Sequence, residues 1–133
     1  QVDEIGEELN QVSKQFSSFS FQVEGLGFFK NKGIPRVLFV NIKDGEELQL
    51  IAAEIDNRLA NLGFEPETRQ FNPHLTLARI KFLKNKKGLY EAVEKYRDTF
   101  MQTAKINEII FYRSVLKPEG AVYRELGKFR LYT

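Results

Sequence analysis

One imidazole and one hydroxyl, two residues apart, are the side chains in this sequence whose types and spacing could move a proton and hold an anion. His74 is the only histidine in 133 residues, and it stands in the run Phe71-Asn72-Pro73-His74-Leu75-Thr76-Leu77-Ala78-Arg79-Ile80. The strict alternation of that run predicts a β-strand. Side chains two apart on a strand share a face, which groups His74, Thr76 and Ala78 on one side and Leu75 and Leu77 on the other. Imidazole titrates near neutrality and works as a general acid or base, while a neighbouring hydroxyl can donate to an oxyanion. With only a small alanine beside them, that face reads as the floor of a ligand site. The leucine face calls for helices packed against it.

Composition bounds what the site can be. Hydrophobic residues make up 42% and charged residues 29%, as in an ordinary globular domain of this length. No apolar run approaches the length of a membrane span and no signal-peptide pattern opens the chain, so no membrane partner is expected. There is no cysteine, which excludes disulfides and thiolate metal sites. A single histidine also excludes a histidine-rich metal centre within one chain, and no metal or cofactor is expected. The net charge is only +2, but four lysines crowd into Lys81-Phe82-Leu83-Lys84-Asn85-Lys86-Lys87 directly after the His/Thr strand. That run reads either as a solvated loop or as a phosphate-attracting rim.

The elements that must position these residues follow in order. Val2, Ile5, Leu9, Val12 and Phe16 recur at helical spacing, predicting a helix from about Asp3 to Gln15 with Asp3 as its cap. Phe19 to Phe28 alternates as a strand, residues 31–35 are turn material, and Arg36 to Ile42 reads as a buried strand. Asp44 and Glu47 have capping-box spacing and open a helix carrying Leu48, Ile51, Ile55, Leu59 and Leu62, with Gly63 placed to end it. Leu89, Val93, Tyr96 and Phe100 mark another helix after the lysine run. Lys105 to Val115 and Ala121 to Leu131 read as a hairpin turning at Lys117-Pro118-Glu119-Gly120. The opening helix and strand look like the tail of a second copy of the strand, helix, His/Thr strand, helix, strand unit that begins at Arg36.

His74-Leu75-Thr76-Leu77 resembles the HxTx signature of the two-histidine phosphoesterase superfamily, and residues 71–79 are similar to the second such motif of its RNA 2′,3′-cyclic phosphodiesterases, long called 2′-5′ RNA ligases. The likeness extends to Gly25-Leu26-Gly27-Phe28-Phe29, Pro35 to Val40, Leu62 to Glu67 and Tyr112 to Gly120, and so covers essentially the whole chain. It implies an α+β fold of two pseudo-symmetric lobes, with helices outside and a central cleft. Residues 1–35 would be the tail of an incomplete first lobe, and residues 36–133 the second lobe with its closing hairpin. It implies metal-independent opening of RNA 2′,3′-cyclic phosphate ends to 2′-phosphates. His74 would be the general base and Thr76 a phosphate ligand. Arg79 resembles the arginine the family often places after the motif, although plain alternation sets it opposite His74 unless a bulge intervenes or the strand ends there. Arg113 is a further candidate for phosphate binding, with a structural role equally open to it.

The sequence departs from the family in one respect: the first HxTx motif is absent. The 133 residues alone are therefore expected to be inactive, with the missing segment supplied as part of the complete protein or as a separate piece. The expected partners are RNA 3′ ends or cyclic nucleotides, the complete protein is expected to be a monomer, and its compartment the cytoplasm. Two other readings stay open. One is a non-catalytic RNA-end-binding module that keeps a single motif; the other is reversible 2′-5′ RNA ligation by the same acid–base pair. Phe28, Tyr112 and Tyr123 are candidates for stacking on a terminal base, with core packing the commoner use of such rings.

Overall fold

Residues 1–132 are described in this computed structural model. In chain order they form α1 (Val2–Ser13), β1 (Phe19–Asn31), β2 (Ile34–Lys43), α2 (Glu46–Ala60), β3 (His74–Arg79), α3 (Lys86–Lys95), β4 (Phe100–Ile106), β5 (Glu108–Lys117) and β6 (Gly120–Arg130). The fold is mixed α+β, and the chain gathers into two compact units built from separated stretches. One comprises Gln1–Phe19, Glu47–Phe71 and the chain from Lys105 onward; the other comprises Ser20–Glu46 and Asn72–Ala104.

The second of these units carries the His/Thr strand on a four-stranded sheet in the order β3-β2-β1-β4. β1 and β2 are antiparallel and joined by Lys32 and Gly33, with φ of 54° and 77°. Two successive left-handed residues make the tight hairpin turn whose twist matches the strands it joins. α3 covers part of one sheet face: its Val93 is buried, its Tyr90 ring lies 5.2 Å from Phe28, and Leu26 N donates to Tyr96 O at 3.0 Å. The Asn85 side chain starts that helix by accepting from Gly88 N, satisfying one of the free amides of the first turn.

The other unit is organised by packing. Val12, Ile51 and Leu131 form its buried centre, with Phe16, Phe19, Ile55, Ile106 and Ile109 packed around them. α1 rests on the β5–β6 hairpin, whose register runs from Glu108 opposite Arg130 to Lys117 opposite Gly120. Arg58 ties α2 to α1, its guanidinium 2.8 Å from Glu54 on its own helix and 3.0 Å from Glu8. Both carboxylates hold Arg58 above its ordinary pKa, through hydrogen bonds first and charge second.

Several expectations need correction. α1 begins at Val2 with no side-chain cap, so Asp3 sits inside the first turn, where a carboxylate favours the helix dipole without capping it. α2 begins at Glu46, too late for Asp44 to cap it, and Asp44 instead takes a left-handed φ of 58°. Gly63, at φ 99°, does end the helix region as expected, its N–H donating to Ala60 O. The lysine run is only partly loop, because Lys86 and Lys87 form the first turn of α3. Phe100 is not helical and opens β4. The stretch from Lys105 to Val115 is not one strand: it breaks at Asn107 between β4 and β5, which belong to different sheets. Asn107 O accepts from Leu131 N at the break. The expected cover over the leucine side of β3 is partial, with Leu75 45% and Leu77 56% exposed.

Candidate active site on the β3 face

β3 is an edge strand, and all six of its residues are exposed. It pairs antiparallel with β2, setting Asn41 opposite His74, Val40 opposite Leu75, Phe39 opposite Thr76, Leu38 opposite Ala78 and Val37 opposite Arg79. Leu77 has no opposite number, so the strand bulges there. Residues paired across a ladder share a face, and Val37, Phe39 and Asn41 alternate regularly on β2. It follows that His74, Thr76 and Arg79 all belong to one face. The bulge moves Ala78 off that face and brings Arg79 onto it, reversing what plain alternation predicts.

The imidazole is held from two sides. His74 Nδ1 lies 3.0 Å from the carbonyl oxygen of Asn72, two residues back. A carbonyl can only accept, so this contact selects the tautomer protonated at Nδ1 and leaves Nε2 as the free basic nitrogen. The ring also stands edge-on to Phe29, with centroids 5.3 Å apart, and tilted against Phe39 at 5.4 Å; these two phenylalanines lie 4.4 Å from each other. Gly27 makes that arrangement possible. It sits opposite Phe39 on β1, and a Cβ there would lie 2.6 Å from the Phe39 ring. Phe39 therefore lies across a bare stretch of backbone, close enough to brace His74.

Arg113 lies on β5, in the other unit, opposite Arg124. Two like charges paired across a ladder repel, and neither guanidinium is ion-paired among the described residues. On the opposite face of the hairpin Tyr112 and Tyr123 form an edge-on pair at 6.2 Å, 49% and 65% exposed, whereas Phe28 packs against Tyr90. A shallow groove of about 930 Å³ runs along α3 past Lys86, Tyr90 and Lys95, and none of His74, Thr76 or Arg79 lines it. Among the described residues no cluster of side chains could hold a metal, and no helix is long and apolar enough to cross a membrane.

Sequence reasoning missed Phe29, Phe39 and Gly27. The signal for them was faint: in the Gly-Leu-Gly-Phe-Phe wording, a glycine alternates with large residues where a neighbouring ring must cross the strand.

Comparison with known proteins now bears on this site. Residues 2–131 match the family model described as AKAP7 2′5′ RNA ligase-like domain. A protein of Aeropyrum pernix named RNA 2′,3′-cyclic phosphodiesterase is 35% identical over 124 residues, covering 92% of this chain and 69% of the relative. One of Methanocaldococcus jannaschii with the same name is 32% identical, with the same coverage of both chains. Among solved structures, the Thermus thermophilus protein TT0787 superposes with a TM-score of 0.72 at 25% identity, covering 97% of this chain and 69% of that one.

Proposed function

The chain belongs to the AKAP7 2′5′ RNA ligase-like family of the two-histidine phosphoesterase superfamily, and from that membership we propose that His74 serves metal-independent opening of RNA 2′,3′-cyclic phosphate ends to 2′-phosphates. The observation that carries the reading is the shared face of His74, Thr76 and Arg79, produced by the bulge at Leu77.

The chemistry divides among those groups. A water oxygen bonds to phosphorus while His74 Nε2 takes its proton, the orientation favoured by the Nδ1 contact to Asn72. Negative charge grows on the non-bridging oxygens, where the Thr76 hydroxyl and the Arg79 guanidinium can meet it. The phosphorus–O3′ bond breaks, and O3′ leaves as a hydroxyl once it receives a proton. His74 is the chain's single histidine and acts here as the base, so a second histidine serving as the proton donor would have to come from outside these 133 residues. The coverage of 69% of each relative leaves room for it. Arg113, facing Arg124 on β5 of the other unit, is in this reading a separate position for binding phosphate.

The test uses the complete protein and adenosine 2′,3′-cyclic phosphate, with product identified by phosphorus NMR. Adenosine 2′-phosphate is expected, and His74→Ala lowers kcat by about 10²–10⁴-fold. Undiminished turnover in that variant, or release of the 3′-phosphate, overturns the assignment. The 133 residues alone are expected to lack measurable turnover. The single histidine also favours a second reading, a module that binds RNA ends without cleaving them. Tight 3′-end binding with no turnover by the complete protein selects it.

A further inference from the structure

The most exposed aromatic ring of the molecule has no task in the site above. Phe82 is 90% exposed, in the loop that follows β3. Its apolar neighbours Ile80 and Leu83 are half-buried, so the loop tucks two side chains in and turns this one out. The backbone presenting it is anchored. Ile80 N donates to Arg36 O at 2.7 Å, and Arg36 Nη1 donates to the carbonyls of Ile80 and Lys81 at 3.3 and 3.0 Å. At the far end of the loop, Lys86 Nζ reaches Gly33 O at 3.4 Å.

The surrounding charge is mainly positive, and most of its ammonium groups are not ion-paired. Lys30 and Lys86 both lie near the Tyr90 ring, 5.2 and 5.6 Å from its centroid, so two ammonium groups share one aromatic ring. Among the described residues Lys30, Lys81, Lys84 and Lys86 make no ion pair, whereas Lys87 pairs with Glu91. An anchored, outward ring among unneutralised ammonium groups suits single-stranded nucleic acid, in which bases stack on the ring and phosphates meet the cations. Five residues lie between His74 and Ile80, one of them bulged, a span of roughly 16 Å or a few nucleotides.

We infer that the loop from Ile80 to Lys87 is a docking platform for the RNA strand on the 5′ side of the terminus held at His74. Phe82 stacks a base, and Lys30, Lys84 and Lys86 meet phosphates. This rests on the RNA reading proposed above and adds to it that affinity depends on the length of the strand.

Binding, not turnover, tests it. Fluorescence anisotropy compares a labelled ten-nucleotide oligouridylate ending in a 3′-hydroxyl with a uridine dinucleotide, over a series of sodium chloride concentrations. The ten-mer is expected to bind at least about ten-fold tighter, and Phe82→Ala weakens it by about ten-fold with an unchanged thermal melt. Replacing Lys84 and Lys86 together by alanine flattens the plot of log affinity against log salt by about 1.4. Equal affinity for the two lengths, or Phe82→Ala binding the ten-mer like the parent, overturns the inference. So does a Phe82→Ala variant that loses co-sedimentation with vesicles of phosphatidylcholine and phosphatidylserine while keeping RNA affinity, which would make the loop a membrane contact. Length-dependent binding without hydrolysis of cyclic phosphate would count against the proposed reaction alone and leave the platform standing.

Discussion

The two units of this chain solve opposite problems. The unit built on α1, α2 and the β5–β6 hairpin spends its apolar residues on closure: Val12 is fully buried, Ile51 and Leu131 nearly so, and Arg58 is paired on two sides. The unit carrying β3 keeps every residue of that strand exposed and orders it by other means, a bulge, a backbone carbonyl and two phenylalanine rings. The contrast separates residues whose loss unfolds the protein from residues whose loss only blunts a surface. It also explains why the chemistry can sit on a strand that contributes little to the core.

That separation can be broken at several points. The largest effect on stability is expected in the closed unit, where Ile51→Ala removes about 2–5 kcal/mol in urea unfolding through lost contacts and the cavity left behind. Thr76→Ala on the exposed strand should stay within about 0.5 kcal/mol in the same assay. If the two cost the same, the contrast fails. Gly27→Ala tests the middle ground, because its Cβ would press on Phe39 and, through that ring, on His74. A loss of about 1–3 kcal/mol is expected, together with a moved His74 Hε1 resonance. Combining it with Phe39→Leu should recover much of the lost stability, which simple strand destabilisation would not allow. The smallest effect concerns Arg113 and Arg124. Arg124→Gln relieves their repulsion and should raise stability by a few tenths of a kcal/mol at low salt, a gain that vanishes at high salt.

What could be read from the sequence divides along physical lines. His74 and Thr76 share a face because a period of two needs only local geometry, and the α2 stripe and its stop at Gly63 follow from helical spacing and a left-handed glycine. The break at Asn107 was passed over because isoleucines stand on both sides of it, at 106, 109 and 110, although Asn107 and Glu108 are themselves poor strand formers, and the strands on either side join different sheets. Asp44 carries the right spacing for a cap, but β2 runs to Lys43 and the helix starts at Glu46, one residue later than that cap requires. Arg79 shows the limit most sharply. Its position depends on how β3 registers against β2, and a bulge leaves no mark in a run that alternates perfectly on paper.

That same bulge gives the strand an unusual tolerance to length. Five positions separate the imidazole from the guanidinium, an odd interval, and Leu77 is the one that goes uncounted in the ladder. Shortening the chain by that single position would leave the remaining partners as they are, with both groups still on a common side. Lengthening it by one also gives an even interval on a plain ladder, but sets the guanidinium opposite Pro35 instead of Val37. Drift in this segment should therefore run toward loss rather than gain, and a homologue one residue shorter here would keep the same three side chains together on a plain ladder.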